Sequence, residues 1–417
     1  MNQLSRRELL TGAAVAFPLF LPGTVLGKKH KPGANDRIRV GVIGIGKRAN
    51  LLVDQLPDEA EIVAVADCFR QAAEESAAKR QAKWRIYDDY RQLLDQKDID
   101  GVIIGTPDHG RVLPAIRACQ AGKDVYAEKP LTAYIAEGRA LVKAARKHKR
   151  VFQVGTQQRS MAMNVLACDF VQKGGLGKVT LVQTDNYGSP KPYSQMSKEA
   201  LPGGLNWDVW LGPTPMRAYN DDLRVHWMNW WDYSGGDMTN WGAHGLDQVQ
   251  SALGMSETGP VELWPLEDGP PHSLGFRYAN GVTVRMELSD RAFQGGAVFT
   301  GEKGRIEIVR NAFKTDPPNM ITNLPAKEDV DKWSDKVAKW QARYHMQNWI
   351  DCMRSRQKPT ADVEIGHRSV SVCHLANITR KLGRKLHWDP KREDFVGDSE
   401  ASSLVTRARR KGYELPA

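Results

Sequence analysis

The strongest constraint on this 417-residue chain lies between residues 37 and 67. A short Val/Ile-rich run, Arg-Ile-Arg-Val-Gly-Val-Ile (37–43), leads directly into Gly44-Ile45-Gly46-Lys47-Arg48-Ala49. Glycines at a strand-to-helix junction have a physical reading. Gly44 permits a tight turn, Gly46 lets a phosphate group approach the backbone, and Ala49 keeps the helix close to the sheet. The unpaired N–H groups at the start of that helix then face the phosphates. A second run, Glu61 to Asp67, ends in a carboxylate placed to accept ribose hydroxyls. A 2′-phosphate would meet a negative charge at Asp67, which favours NAD; Arg70 close by leaves NADP open.

The same pattern continues. Val/Ile-rich stretches at 100–105, 124–128 and 151–155 alternate with helix-compatible stretches at 48–56, 70–83, 89–96, 110–121 and 133–149. Such alternation predicts an α/β fold with a doubly wound parallel sheet of Rossmann type and helices on both faces. Ligands bind such sheets at the carboxyl ends of the strands. Thr106-Pro107-Asp108-His109 follows the 100–105 strand, so Thr106, Pro107 and His109 are placed in the cleft. Glu128 and Lys129 end the next strand. The predicted cofactor contacts are therefore Gly44, Gly46, Lys47, Arg48, Ala49, Asp67, Thr106, Pro107, His109, Glu128 and Lys129.

Bulk properties narrow the classes. The net charge is +10, but the basic residues are scattered and no nucleic-acid-binding motif accompanies them, so nucleic acid is not an expected partner. The five cysteines are odd in number and lack a Cys-x-x-Cys, which argues against a disulfide framework or a metal site. At the front, Ser5-Arg6-Arg7-Glu8-Leu9-Leu10 precedes an uncharged stretch containing Pro18 and Pro22. This is a poor membrane span and resembles a twin-arginine export signal. The expectation is a signal region at 1–30, a periplasmic or otherwise exported protein, and no stable membrane span once the signal is removed. Export in the folded state suits a protein that captures its cofactor in the cytoplasm.

Residues 234–248, SGGDMTNWGAHGLDQ, carry the second informative pattern. At about 100° per residue, Asp237, Asn240, His244, Asp247 and Gln248 form one polar stripe, with Met238, Leu246, Val249 and Leu253 opposite. Together with G-x-G-x-x-A, TPDH, AGKDVYAEKPL (121–131), GTQQR (155–159) and LHWDPKREDFVG (386–397), this stretch resembles the Gfo/Idh/MocA family of sugar-type oxidoreductases. The resemblance covers nearly all the chain from about residue 36. It implies a Rossmann domain at 36–157 and a substrate-binding α/β domain at 158–330 with a large, open, mainly antiparallel sheet. It also implies a helical return at 331–417 that packs on the first domain. The residues agree: a helix at 159–173 precedes strand-like runs at 178–187, 260–266, 272–279, 282–289, 296–300 and 304–310, and Asn280-Gly281 is a hairpin signal.

In the family, the lysine of Glu-Lys-Pro and an Asp and a His of the helix form the catalytic site. Carried over, these are Lys129, Asn240 and His244, so an Asn stands where the family has Asp. Asn cannot act as a base, but it can hydrogen-bond a hydroxyl. His244 is then the expected proton carrier, and Lys129 the group that polarises the oxygen. Further substrate contacts are placed on Arg159, Tyr187, Asp237, Trp241 and Asp247. Six of the twelve tryptophans fall between residues 201 and 241, as a site for sugar C–H faces would require, although most such rings serve packing.

Three functions fit. The first is an exported NAD(P)-dependent oxidoreductase, of the alcohol-oxidising EC 1.1.1 type, acting on a sugar, sugar derivative or polyol. The second is a glycoside-cleaving enzyme that oxidises, eliminates and re-reduces with tightly bound NAD; the same logic admits hydride exchange between two sugars. The third is a sugar-binding protein that has lost its chemistry at Asn240. The exposed sheet of the second domain predicts a homo-oligomer.

Overall fold

The computed structural model describes residues 36–288, 295–334 and 341–416. The signal region at 1–30 lies outside the described residues. Six parallel strands form the first sheet: β1 (Ile38–Ile43), β2 (Ala60–Ala66), β3 (Arg85–Tyr87), β4 (Gly101–Ile104), β5 (Asp124–Ala127) and β6 (Phe152–Val154), in the order β3-β2-β1-β4-β5-β6. This is the doubly wound order, with its switch point between β1 and β4. Helices α1 (Lys47–Asp54), α2 (Arg70–Lys79), α3 (Tyr90–Leu94), α4 (Val112–Gln120) and α5 (Ile135–Lys147) connect the strands. Strand β3 escapes a hydrophobicity reading because Arg-Ile-Tyr is short and none of the three is fully buried.

The second sheet has nine strands. Its members are β7 (Val179–Asp185), β8 (Glu262–Pro265), β9 (Leu274–Arg277), β10 (Thr283–Leu288), β11 (Ala297–Gly301), β12 (Gly304–Val309), β13 (Ala312–Asp316), β14 (Leu386–Asp389) and β15 (Asp394–Phe395). The order is β13-β12-β11-β7-β10-β9-β8-β14-β15, and all neighbours are antiparallel except β7 and β10. Asn280-Gly281 turns β9 into β10, with Gly281 at φ +88°. The sequence reading ended the sheet at residue 310. The structure adds β13 and lets the 386–395 tail pair with β8, so the return segment belongs partly to the second sheet.

Helix α6 (Ala162–Gln172) and the pair α9 (Asp237–Asn240) and α10 (Gly242–Ala252) cover this sheet; short α7 (Trp207–Leu211) and α8 (Asp221–Val225) lie between β7 and α9, and short α11 (Lys327–Asp331) follows β13. The expected helical region 335–383 resolves into α12 (Arg343–Ser355) and α13 (Val363–Leu382). Short α14 (Ser399–Ser403) follows β15. Met346, Trp349 and Ile350 of α12 are fully buried with Val40, Val42 and Tyr126 of the first sheet. Helix α13 joins both domains: Val363 and Val370 enter the core of the first, while Val372, Leu375, Ala376 and Ile378 enter that of the second.

Candidate active site

The glycine loop is built as its residues require. Gly44 adopts φ +80°, and a Cβ there would stand 2.9 Å from Thr106. A Cβ on Gly105 would strike Ala49 at 2.7 Å, so α1 sits tight on β4. Over Gly46 a Cβ would meet nothing within 4 Å: the backbone at the start of α1 faces open space, as a phosphate cradle needs. Asp67 lies at the rim. Its Oδ2 accepts from Ile45 N at 2.7 Å and its Oδ1 from Phe69 N at 2.8 Å, while burial raises its pKa. Thr106 Oγ1 is buried in the same cleft without a hydrogen-bond partner. The open cradle and the orphaned hydroxyl fit a dinucleotide. Arg70 is committed to Glu74 and Asp88 on the surface.

A long segment, residues 186–236, closes over this cleft from the second domain. Leu205 bridges Phe69, Asn206 N donates to Cys68 O at 2.7 Å, and Leu205, Val209, Trp210 and Arg224 join the lining. None of these four was singled out from the sequence as a cofactor contact, because only the fold brings the segment back across the sheet edge.

Lys129, at the end of β5, donates from Nζ to Asn240 Oδ1 at 2.7 Å and Asn240 O at 3.1 Å. Burial brings its pKa down to about 8, opposed by Glu128 and Asp108 and assisted by Arg48 and Arg111. Glu128 is itself held by Arg48 Nε at 2.8 Å and Gln157 Nε2 at 3.3 Å. His244 is 4% exposed, and its Nδ1 has no hydrogen-bond partner. Burial first, then the charges of Lys129, Arg310, Arg48 and His345, hold its pKa well below the ordinary histidine value. The expectation of a histidine titrating near neutrality is thus corrected: burial holds His244 well below the ordinary histidine range, and it is Lys129 that burial brings down to about 8.

Several expected contacts are placed differently. His109 is not a cleft residue. It is buried beneath the aromatic cluster, its Nε2 2.7 Å from Trp210 O and its ring edge-on to Tyr233 at 4.9 Å, and burial lowers its pKa to about 3. The adjacent Asp108 is the residue turned toward the site, accepting from Ser234 Oγ at 2.8 Å and lying 3.4 Å from Arg111. Arg159 and Asp247 are spent on each other in a buried pair at 2.8 Å, with Ser369 Oγ on Asp247 at 2.6 Å. Tyr187 packs against Gly242 and Gly245 of α10, and its hydroxyl accepts from Gly295 N at 3.1 Å. Gln248 binds Asn164, Gln158 and the Ile308 carbonyl. The stripe therefore divides at Trp241, where the expected single helix breaks into α9 and α10. Its upper part faces Lys129, and its lower part is interior. Trp241 lies 6.1 Å from the His244 ring, and Asp237 is half-buried at the start of α9. Lys47 is exposed beside the glycine loop. Of the tryptophans, Trp207 and Trp210 stack at 4.4 Å and form a small core with Tyr219, Leu223 and Tyr233.

Fold and site together define a two-domain protein built on a dinucleotide-binding sheet. Residues 38–156 match the NAD-binding Rossmann fold of the Gfo/Idh/MocA oxidoreductase family, and residues 190–415 match its C-terminal α/β domain. The chain belongs to that family. Among curated relatives, it is 29% identical over 290 residues to levoglucosan dehydrogenase of Pseudarthrobacter phenanthrenivorans, covering 66% of this chain and 68% of that protein. It is 28% identical over 154 residues to inositol 2-dehydrogenase of Salmonella typhimurium, covering 36% of this chain and 46% of that protein, which is less than half its length. The fold is shared with the WlbA dehydrogenase of Bordetella pertussis, solved with NADH and UDP-GlcNAcA: TM-score 0.61, 20% identity, 85% of this chain and 99% of that one.

Proposed function

We propose that this protein is an NAD-dependent dehydrogenase of a sugar, sugar derivative or polyol hydroxyl. One observation carries the reading: a lysine with a pKa of about 8, clamped by Asn240 and set with His244 at the strand ends beside the glycine loop. The named substrates of the relatives, levoglucosan and inositol, agree in class. The glycine loop, Asp67 and Thr106 would hold the cofactor. Bound NAD supplies the acceptor or donor of hydride at the substrate carbon.

The chain's own residues handle the proton. An ammonium has three hydrogens, and Asn240 takes two. When Lys129 is neutral, both N–H bonds still point to Asn240, and the lone pair is left for the substrate hydroxyl. In the oxidising direction the hydroxyl O–H proton passes to that lone pair; in the reducing direction the third ammonium hydrogen returns it. Neutral His244 holds the same oxygen through Nδ1, and the loss of the family's Asp alters the lysine's proton affinity without removing the proton path.

The covered cleft supports a second reading. A segment seated over Cys68 and Phe69 would slow release of a bound dinucleotide. Retained NAD suits a cycle that oxidises and re-reduces within one active site, such as glycoside cleavage or hydride exchange between two sugars. Export by the twin-arginine route, read from Arg6 and Arg7, belongs to the same picture, because cofactor pools are not expected outside the cytoplasm.

The test begins with purified protein. Denaturation should release NAD, and sugars and polyols should then be screened for a change in reduced-nicotinamide absorbance and, separately, for released aglycone. Absence of NAD together with no binding on addition would overturn both readings. Product without net reduction would select the second. A fusion in which Arg6 and Arg7 are both replaced by Lys should stay in the cytoplasm; unimpaired export would remove that part.

A further inference from the structure

The pocket of about 720 Å³ bounded by residues 186–193, 231–232, 271–272 and the end of α13 is three times the volume of the dinucleotide cleft, at about 240 Å³. It contains none of Lys129, Asn240 or His244. It shares a wall with α9, since Met238 N donates to Gly188 O at 2.8 Å and Asn377 Nδ2 to Gly235 O at 2.8 Å.

Its charge is unbalanced. Lys191, His272, Arg380 and Lys381 line it against a single carboxylate, Asp232, which is already paired with Arg217. Arg380 is the informative residue. Its guanidinium donates to Tyr187 O at 2.5 Å, Asn186 Oδ1 at 2.6 Å, His272 O at 2.9 Å and Ser189 Oγ at 3.3 Å. All four are neutral oxygens, and among the described residues Arg380 forms no ion pair. Other partly buried arginines have carboxylates: Arg139 has Glu364 and Glu393, Arg159 has Asp247, and Arg407 has Glu137. Desolvation alone brings the Arg380 pKa down to about 10. A sequestered cation without a counter-charge is costly, and four of its five N–H groups are taken, which leaves one for a ligand. Beside it are ring faces. The Lys381 ammonium lies 4.7 Å from the centre of the half-buried Trp231 ring; Tyr193, with the Arg217 guanidinium 3.5 Å from its ring centre, also lines the pocket. Flat rings suit the C–H faces of a pyranose, and the volume lies within the range of small-molecule sites, about 300–1,000 Å³.

We propose that this pocket is a second carbohydrate site, selective for a sugar residue that carries an oxyanion, either a carboxylate or a sulfate ester. It goes beyond the dehydrogenase reading and does not depend on dinucleotide chemistry.

The test uses full-length protein carrying Lys129→Ala, so that turnover cannot intervene. A uronate disaccharide, a sulfated disaccharide, neutral cellobiose and inorganic sulfate are each titrated by calorimetry and tryptophan fluorescence. One acidic disaccharide should bind, more weakly as salt is raised, and whichever binds identifies the oxyanion. Trp231→Ala and the exposed-site variant Lys381→Glu should each weaken it by about tenfold or more. Equal binding of cellobiose, equal binding of inorganic sulfate, no binding of either acidic sugar, or binding unchanged in both variants would overturn the proposal. NAD content measured on the same preparations separates the two readings. Protein that binds the acidic sugar but no NAD refutes the dehydrogenase and leaves this site standing.

Discussion

At Lys129 the competition is between burial, which expels the proton, and the carboxylates of Glu128 and Asp108, which hold it. Burial wins, and the neutral amine is populated above a pH of about 8. Oxidation needs that neutral amine, so its rate should rise with pH through that midpoint, while reduction falls. Asn240→Asp would add a carboxylate 2.7 Å from the ammonium and favour the charged form. The midpoint should move upward in the pH–rate profile; an unmoved midpoint would dissociate Lys129 from the titration. Lys129→Ala should lower turnover by about 10²–10⁴-fold, the usual range for a proton-transfer group, with NAD content preserved. A different role falls to Asp247. Its side chain is 1% exposed and that of its partner Arg159 9%, so Asp247→Ala would strand a buried cation. A loss of about 3–5 kcal/mol is expected in denaturant unfolding. Lys129, Asn240 and His244 came from the family resemblance; the structure puts Lys129 just after β5 and splits the expected helix so that Asn240 lies in α9 and His244 in α10. Sequence spacing did not separate the two ends of one polar stripe, because burial by α13, distant in the chain, decides which end is interior. It also chose His109 over Asp108 for the cleft, whereas the turn after β4 buries His109 under the tryptophans.

Among elements, the loop from β1 to α1 was the most legible, because each glycine answers a local need, a positive φ at Gly44 and clearance at Gly46. The two glycines separate fold from function. Gly46 has φ −63° and ψ −175°, ordinary extended backbone, and space above it. Gly46→Val should leave stability within about 0.5 kcal/mol, while NAD affinity falls by about tenfold or more as the cradle fills. Gly44→Ala should instead cost about 1–3 kcal/mol from its positive φ, before the contact with Thr106 is counted. Thermal unfolding and NAD titration on both variants would show the contrast. Helix α13 was the hardest element to read. Apolar and polar residues are buried all around it, including His367, His374 and Asn377, so no hydrophobic stripe marks a single face. Strands β13, β14 and β15 were missed for a related reason: they lie at the two ends of the sheet, where pairing with β12 and β8 rather than local pattern defines them.

On the scale of the whole molecule, the cover over the cofactor cleft is secured from the far end of the sequence. Arg410 donates to Asp208 Oδ1 at 2.6 Å and to Gly212 O at 2.9 Å, and the Tyr413 hydroxyl reaches Asp208 Oδ2 at 2.7 Å, fixing α7. Arg407 binds Glu137 and the carbonyls of His109 and Asp232. Arg410→Ala combined with Tyr413→Phe should speed release of bound NAD severalfold without changing the pH midpoint at Lys129, as exchange against labelled NAD would report. The strap also sets a chronology. The glycine loop emerges from the ribosome early, and residues 407–413 emerge long afterwards, so the cleft stays unsealed through most of translation. On the retained-cofactor reading, that interval is when a dinucleotide would enter, before the late segment closes the cleft.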